Sequence, residues 1–311
     1  RSQMLDFELR HYVVMAISGA IVHGVIKYIL PKVRLRYMCD FQGPVLSVVI
    51  TGSTKGVGLA LATAFLQLGD NVVISSRVKE HVDMAVKQLK SVGSGKVMGV
   101  VCDVREPEAV DALIRRAVDD FGAVDVLINN AGVTQETKQP VATTPADVLR
   151  QVIDTNLLGT ILASQAAVKQ MLKQGHGHVF LTDGNGSNGG GTPNSAIYGA
   201  TKAALPQFAK SLEKEVAGTG VCVSLISPGM VITDLLMTSR TPSALKAFNV
   251  LCERPATVAA WLVPRIRYVA RRQQSGHYLR FLTKSEAAWR CLTFFKRQNR
   301  FFDATGKMKP E

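Results

Sequence analysis

The stretch from Val45 to Gly58 reads VLSVVITGSTKGVG and joins a short apolar run to a glycine-rich loop. The β-branched run at 45–50 predicts a buried strand, and the three glycines after it have the spacing of a phosphate-binding turn. Gly52 would allow the tight turn, Gly56 a close approach of backbone to a pyrophosphate, and Gly58 close packing of the next helix. A helix beginning here points free N–H groups at anionic oxygens. The stretch therefore predicts a dinucleotide-binding turn after the first strand of an α/β sheet.

Five further apolar runs predict strands that alternate with helices. They are NVVISS (71–76), KVMGVVCDV (96–104), VDVLINNAG (124–132), HVFLT (178–182) and VCVSLIS (221–227). Helical periodicity lies between them, at 57–68, 79–91, 106–121, 147–173 and 197–217. The runs are apolar throughout rather than alternating, which is typical of strands covered on both faces. This order predicts an α/β fold, a doubly wound parallel sheet (Rossmann fold) with helices on both faces.

Pattern changes along the 311 residues divide the chain into three parts. Residues 1–44 form a hydrophobic and basic N-terminal segment, and 45–270 form the α/β domain, with weaker helical patterns at 241–252 and 255–270. A basic, aromatic extension follows at 271–311. Because 47% of the residues are hydrophobic and 20% charged, the chain has enough apolar surface for one large core and is not typical of a disordered protein.

The charge and the cysteines limit the kinds of partner. A net charge of +13 favours an anionic one, which could be a phosphate-bearing cofactor, an acidic membrane surface or nucleic acid. Charge alone does not choose among them, but the glycine turn accounts for a phosphate group, and we expect no nucleic-acid partner. The cysteines are widely spaced and include no CxxC pair, so we expect no metal site and no disulfide framework. They are Cys39, Cys102, Cys222, Cys252 and Cys291.

The end of the second strand indicates which dinucleotide the turn accepts. A site selective for NAD usually has an acidic residue there, which accepts from the ribose 2′-hydroxyl. This chain has Ser76 and Arg77 instead, with Lys55 in the glycine loop. Two cations without a carboxylate favour a 2′-phosphate, since arginine binds phosphate through paired hydrogen bonds. We therefore predict NADP(H), bound also by loop residues Ser53, Thr54 and Val57; the alternative for Arg77 is an ordinary solvated surface charge.

The segment YGATK places Tyr198 and Lys202 four residues apart, on one face of a helix. A phenol with a pKa of about 10 is a poor acid or base at neutral pH. An adjacent ammonium stabilises the phenolate and would bring the pKa of the phenol toward the working pH. The pair therefore predicts a proton-transferring centre.

Together with CDV (102–104), NNAG (129–132), NLLG (156–159) and SPG (227–229), these motifs resemble the short-chain dehydrogenase/reductase family over about 45–265. The resemblance implies hydride transfer to or from a carbonyl, with Tyr198 as proton donor in the reducing direction and Lys202 also contacting the nicotinamide ribose. It implies that Asn156 holds a proton-relay water near Lys202. It further implies cofactor contacts from Asp103, Val104, Asn130, Ala131, Gly132, Pro228, Gly229, Val231 and Thr233.

One departure from the family concerns the serine that polarises the carbonyl. The family usually has it about thirteen residues before the tyrosine, and that position is Asn185 in the loop DGNGSNGGG (183–191). The nearest hydroxyl belongs to Ser187, two residues later. We favour Ser187 as the catalytic hydroxyl, while Asn185 could also donate a hydrogen bond. A flexible loop in which neither residue acts is the remaining alternative.

Longer stretches resemble one group within the family, the chlorophyll b reductases of the non-yellow-colouring type. These are residues 178–212, SPGMVITDLL (227–236), FNVLCERPATVAAWLVPRIR (248–267) and RFFDATGK (300–307). The resemblance implies NADPH-dependent reduction of the 7-formyl group of chlorophyll b to a hydroxymethyl group, at the thylakoid membrane of the chloroplast. The alternatives are a reductase of another lipophilic carbonyl (retinoid, steroid or lipid aldehyde) and a weakly catalytic NADPH-binding scaffold.

Two further features bear on membranes and assembly. The apolar run at 12–30 is interrupted by charge and is followed by Lys32, Arg34 and Arg36. It could span a bilayer, lie in its interface or dock on the core, and with the aromatic, cationic tail at 294–302 it predicts membrane association. The helices predicted at 147–173 and 197–217 are those through which the family pairs, so a homo-oligomer or a hetero-oligomer with a related reductase is possible.

Overall fold

The computed structural model describes residues 40–238, 240–303 and 305–309; the apolar run at 12–30 lies outside them. Seven parallel strands form one sheet in the order β3-β2-β1-β4-β5-β6-β7, which confirms the predicted doubly wound parallel sheet. The strands are β1 Ser47–Ile50, β2 Asn71–Ser76, β3 Val97–Val101, β4 Val126–Asn129, β5 Gly177–Thr182, β6 Val221–Ser227 and β7 Tyr278–Arg280. The strand order reverses between β1 and β4, where folds of this kind bind their ligands.

Ten α-helices follow or separate these strands in the described ranges. They are α1 Gly56–Gln67, α2 Lys79–Leu89, α3 Pro107–Phe121, α4 Ala146–Ile153, α5 Gly159–Gln174, α6 Ala196–Glu215, α7 Asp234–Met237, α8 Pro242–Leu251, α9 Pro255–Arg271 and α10 Lys284–Leu292. The ends follow local chemistry, since α3 begins at a proline and ends before Gly122, whose φ of +84° is left-handed. No described helix is both long enough and apolar enough to cross a bilayer.

The helix predicted over 147–173 is divided in the structure. One turn of π-helix, Asp154–Leu158, separates α4 from α5. The extra residue in this turn hardly disturbs the apolar periodicity, so the sequence pattern continues through it. Such turns occur frequently at functional sites, and here the turn carries the fully buried Asn156.

Strand β7 lies beyond residue 270, where the sequence analysis ended the α/β domain. It pairs with β6 through Leu225↔Tyr278, Ile226↔Leu279 and Ser227↔Arg280. The extension 271–311 therefore supplies one strand of the sheet, and a cut at residue 270 would remove it. The strand has three residues and no apolar run of its own, so its position follows from the partner strand and not from local pattern.

Helices cover both faces of the sheet. Apolar side chains of α3, α5 and α6 bury one face, among them Leu113, Met171 and Leu212. On the other face α1 packs against α9, and Phe65 and Ile266 are completely buried there. Burial of each such side chain contributes about 1.5–3 kcal/mol to folding. The carboxyl ends of the strands, where the loops lie, are left for binding a ligand.

The extension also packs on α8. Phe301 and Phe302 join a buried cluster with Phe248 of that helix. Arg297 donates from Nε to the Val250 carbonyl at 2.6 Å, at the helix end where unpaired carbonyls favour a cation. Residues 297–302 of the extension thus hold α8, which lies in the segment after β6.

Candidate active site

The predicted glycine loop lies where the strand order reverses. Gly52 has φ +61°, and a Cβ there would lie 2.8 Å from the Ala131 Cα. A Cβ on Gly58 would lie 2.6 Å from the Gly52 carbonyl oxygen. Gly56 has φ +58° and would bring a Cβ to 3.2 Å from Thr233 Cγ2. The loop and the segment after β6 therefore face each other across a cradle that side chains would fill.

Side chains bind this loop to the motif after β4. Asn130 Nδ2 donates to the carbonyls of Thr51 at 3.0 Å and Gly52 at 2.9 Å. Thr51 Oγ1 accepts from the backbone N–H groups of Asn130 and Ala131 at 3.0 and 3.1 Å. The Asn130 side chain and the backbone N–H groups of Asn130 and Ala131 are thus engaged in holding the loop against the motif after β4.

Ser53 is the predicted loop residue whose side chain points into the protein. It is fully buried, its Oγ donates to the Ile50 carbonyl at 2.6 Å, and the same oxygen accepts from the Ser75 N–H at 2.9 Å. The hydroxyl therefore ties β1 to β2, and so does the Ser53 N–H, which donates to the Ser75 carbonyl at 2.9 Å. Thr54 and Val57 are half-buried in the loop.

The two cations predicted to select the 2′-phosphate differ in their surroundings. Arg77 follows β2 directly and is exposed, beside the half-buried Ser76. Lys55 Nζ pairs with Asp234 Oδ2 at 2.9 Å, and both side chains are largely exposed. An exposed pair of this kind contributes about 0–1 kcal/mol, so Lys55 remains easily displaced. Arg77 has the position expected of the selective cation.

Asp103 and Val104 lie after β3, on the side predicted for the adenine. Arg105 Nε donates to Asp103 Oδ1 at 3.0 Å. That hydrogen bond, with a smaller contribution from the charge of Arg77, lowers the pKa of Asp103. Val104 is buried against Gly159, where a Cβ would lie 2.6 Å from Val104 Cγ2. The carboxylate is ionised and already paired with a neighbour on its own loop.

Tyr198 and Lys202 lie one turn apart on α6. The Lys202 Nζ is 5.9 Å from the centre of the Tyr198 ring and donates to the Thr182 carbonyl at 3.0 Å. Lys202 is buried, and Gly132 lies against it, since a Cβ there would be 3.9 Å from Nζ. The motif after β4 and the helix that carries the proton-transferring pair are therefore in contact.

Asn156 lies beside the same pair, in the π-helical turn. Its Oδ1 accepts from the Val133 N–H at 2.8 Å, and its Nδ2 donates to the Val133 carbonyl at 2.9 Å. Nδ2 also reaches Thr201 Oγ1 at 3.3 Å. The side chain thus joins α6 to the segment after β4. Its backbone carbonyl accepts from Thr160 Oγ1 at 2.8 Å.

Burial shifts the pKa values of both proton-transferring groups. It raises the pKa of Tyr198 to about 12, with a further contribution from the negative charge of Asp183. Burial lowers the pKa of Lys202 to about 8, while Asp183 opposes the change. The expectation that the lysine brings the pKa of the phenol toward neutrality is not met, because desolvation of the buried phenol raises that pKa. At neutral pH the phenol therefore keeps its proton, as a donor must.

The loop after β5 contacts the Tyr198 hydroxyl through a glycine. A Cβ on Gly184 would lie 2.5 Å from Tyr198 Oη, so a larger residue would displace the phenol. The Ser187 N–H donates to the Gly184 carbonyl at 3.1 Å and closes a turn. Its Oγ donates to Asp183 Oδ2 at 3.1 Å, whereas Asn185 is exposed.

The segment predicted to contact the carboxamide begins directly after β6. Pro228 is buried, and Gly229 has φ +75° with Leu282 so close that a Cβ would lie 2.6 Å from its Cβ. Val231 forms a single β-bridge with Glu253, and Thr233 is the residue before α7. Leu282 belongs to the extension, which thereby fixes this turn.

Two side chains of the site were not predicted from the sequence. Asp183 was quoted as part of the loop, and its position directly after β5 was the available signal. Tyr278 on β7 donates from its hydroxyl to Asp183 Oδ2. No signal pointed to Tyr278, because the strand that carries it was itself not predicted.

Comparison with known proteins identifies the family of the chain. The profile of the short chain dehydrogenase family matches residues 47–244. Probable chlorophyll(ide) b reductase NYC1 of Arabidopsis thaliana is 40% identical over 278 residues, which cover 84% of this chain and 55% of that protein. The chain thus spans about half the length of this relative. Chlorophyll(ide) b reductase NOL of Oryza sativa subsp. japonica is 44% identical, over 83% of this chain and 78% of that protein.

Solved structures agree on the fold. A short-chain type dehydrogenase/reductase from Mycobacterium marinum superposes with a TM-score of 0.68 at 24% identity, covering 79% of this chain and 96% of that one. The structure of gox2181 gives 0.71 at 23% identity, over 80% of this chain and 98% of that one. A fold of this family binds a nicotinamide cofactor, and the glycine cradle fits one. The chain belongs to the short-chain dehydrogenase/reductase family of oxidoreductases.

Proposed function

We propose that the protein is an NADPH-dependent reductase of the 7-formyl group of chlorophyll b, acting in the chloroplast. The observation that carries this is the 40–44% identity to chlorophyll(ide) b reductases over 83–84% of the chain. Coverage of 83–84% of the chain requires that the alignment continue past residue 244, where the family profile ends. The product would be the 7-hydroxymethyl group.

The groups at the site have defined tasks in this reaction. NADPH, when bound, supplies a hydride to the formyl carbon. Tyr198 donates its proton to the formyl oxygen, so that the carbonyl becomes a primary alcohol and the phenol becomes phenolate. The ammonium of Lys202, desolvated beside the ring, stabilises that phenolate until a proton from solvent water restores the phenol. Ser187 donates a hydrogen bond to the carbonyl oxygen. Asn156 holds α6 against the segment after β4 through its hydrogen bonds.

A direct assay tests the substrate. Purified protein, NADPH and chlorophyll b in detergent are followed by the change in pigment absorbance, with retinal as a second lipophilic aldehyde. We expect turnover of chlorophyll b at least about tenfold faster than of retinal. The reverse preference would favour the alternative, a reductase of another lipophilic carbonyl. NADPH binding without turnover of either would favour the scaffold.

Cofactor choice is tested at Arg77. We expect Arg77→Ala to weaken NADPH binding by about 10–100-fold, because it removes a hydrogen-bonded cation from a phosphate. NADH binding should change little, and fluorescence titration of the bound nicotinamide measures both. Arg115→Ala, an exposed arginine on α3, is the matched control and should leave both affinities unchanged. Equal losses for both cofactors would contradict the assignment; Lys55→Ala is the next variant.

Membrane association is proposed from an exposed cluster on the extension, which we call the aromatic patch. It consists of Trp289, Leu292, Phe294 and Phe295, which are 60%, 73%, 51% and 61% exposed. Exposed apolar clusters mark membrane or partner surfaces. Lys284 and Lys296 on the same extension are exposed, and the Lys296 Nζ lies 5.9 Å from the Phe295 ring centre. Aromatic and cationic residues together fit the headgroup region of an anionic bilayer such as the thylakoid's.

Flotation of the full chain on anionic vesicles tests this surface. Replacing Trp289, Phe294 and Phe295 together by Ser should lower vesicle affinity more than about tenfold, since each buried aromatic contributes about 1.5–3 kcal/mol. The control replaces two exposed apolar residues elsewhere, Met84→Ser and Leu172→Ser, and should float like the wild type. Unchanged flotation of the triple variant would assign membrane binding to the N-terminal segment 1–44 instead.

A further inference from the structure

Asp183 is a buried carboxylate beside the proposed reacting groups to which the reaction as written gives no task. It follows β5, its N–H donates to the Ile226 carbonyl at 2.9 Å, and the residue is 9% exposed. Oδ2 accepts two hydroxyl hydrogen bonds, from Ser187 Oγ at 3.1 Å and from Tyr278 Oη. The two hydroxyl oxygens are themselves 3.5 Å apart. A carboxylate and two hydroxyls thus form one cluster at the carboxyl ends of β5 and β6.

The third member of the cluster is held from outside the loop. Tyr278 begins β7, and its partner in the sheet is Leu225 of β6. The guanidinium of Arg280 lies 3.7 Å from the centre of its ring. Both contacts fix the phenol in direction, because a strand position sets the backbone and the stacked cation sets the ring plane. Tyr278 is therefore a rigid donor, while Ser187 lies in a turn among glycines.

A hydroxyl has one proton, and the Ser187 hydroxyl donates it to Asp183. To polarise a carbonyl, Ser187 must turn that proton toward the substrate, and Asp183 then loses a donor inside a buried site. A buried acceptor left without a donor is costly. The hydrogen bond from Tyr278 keeps Oδ2 satisfied during this exchange. The Tyr278 hydroxyl can therefore stay hydrogen-bonded to Asp183 while the Ser187 hydroxyl turns toward the substrate.

We propose that Asp183 and Tyr278 are positioning residues for Ser187. The Asp183 carboxylate orients the serine hydroxyl. The Tyr278 phenol stays hydrogen-bonded to Asp183, which allows the serine proton to turn toward the substrate carbonyl. This inference rests on the proposed reduction, but it applies to whichever aldehyde the enzyme reduces. It assigns to the extension a part in the chemistry through β7, besides its packing on α8.

The charge of Asp183 also reaches the proton-transferring pair. It contributes to the raised pKa of Tyr198 and opposes the lowering of the pKa of Lys202 by burial. Removing the charge while keeping the shape, as in Asp183→Asn, should therefore shift the pH profile of kcat to lower pH. A residue with a merely structural role would not move that profile.

A double-mutant cycle on kcat tests the proposal. We expect Ser187→Ala to lower kcat by about 10²–10³-fold, the usual cost of one donor to the reacting oxygen. Tyr278→Phe should lower kcat about tenfold with little change in KM, because Asp183 then retains the serine proton. Adding Tyr278→Phe to Ser187→Ala should cost nothing more, since the phenol acts through the serine. Asp183→Asn should retain far more activity than Asp183→Ala, because an amide can donate to Ser187 Oγ.

Controls separate this from folding and from substrate choice. Tyr268→Phe on α9 is the matched phenol control and should behave as wild type, and melting temperatures check that each variant folds. Additive losses from Tyr278→Phe and Ser187→Ala would overturn the proposal, as would a Ser187→Ala variant with wild-type kcat. If the wild type reduces retinal and not chlorophyll b, the proposed substrate fails, yet the same cycle run on retinal still decides the role of Tyr278.

Discussion

Replacement of Tyr198 by Phe should abolish most turnover and leave NADPH binding nearly intact. The phenol lies against Gly184, and burial raises its pKa to about 12, so at neutral pH it holds the proton that the formyl oxygen needs. Phenylalanine keeps the ring and loses that proton. Because positioned acid catalysis contributes about 10²–10⁴-fold, kcat should fall by that factor. Single-turnover oxidation of NADPH in the presence of substrate measures it.

The control for this variant is Lys202→Met, which leaves the phenol and removes the ammonium. It should lower kcat as well, but it should also raise the dissociation constant of NADPH if Lys202 contacts the ribose. Tyr198→Phe should not change that constant. A Tyr198→Phe enzyme that keeps more than about a tenth of the wild-type rate would show that another group, or water, delivers the proton.

The regular part of the fold could be predicted because each element has its own local signal. Strands β1, β2, β4 and β6 are continuous apolar runs, and the glycine loop follows β1 directly. Tyr198 and Lys202 could be placed in contact from their spacing, since a helix fixes which residues share a face. Each of these features is determined by residues that are close together in the sequence.

The parts that were missed depend on distant partners. Strand β7 has three residues, and β6, about fifty residues earlier in the chain, fixes its place. The π-turn at Asp154–Leu158 has no local signal in the sequence, and its Asn156 accepts from the N–H of Val133, a residue more than twenty positions earlier. The ambiguity between Asn185 and Ser187 could not be removed by counting, since glycines adopt many turns. Ser187 donates to the Asp183 carboxylate, whereas Asn185 is exposed, and the choice of Ser187 as the catalytic hydroxyl stays a prediction.

A buried ion pair attaches α9 to the turn between α1 and β2. Arg267 Nη1 lies 2.6 Å from Asp70 Oδ2, and the two side chains are 1% and 0% exposed. The same nitrogen donates to the Leu68 carbonyl at 2.9 Å, and the Leu46 N–H donates to Asp70 Oδ1 at 3.0 Å. Burial raises the pKa of Asp70 to about 6 despite the adjacent guanidinium, so the carboxylate tolerates its position only while it is paired. Desolvation thus opposes the pair even in the intact protein.

Arg267→Leu should therefore lower the free energy of unfolding by about 3–5 kcal/mol, because it leaves Asp70 buried without a cation. Urea denaturation of the full chain, followed by circular dichroism, measures this loss. The matched control is Arg116→Leu, which breaks the exposed pair with Asp120 on α3 and should cost less than about 1 kcal/mol. Asp70→Asn combined with Arg267→Leu should recover part of the stability, since no charge remains buried. If Arg267→Leu cost no more than Arg116→Leu, the pair would not be what fastens α9 to the sheet, and the packing of Phe65 and Ile266 would have to suffice.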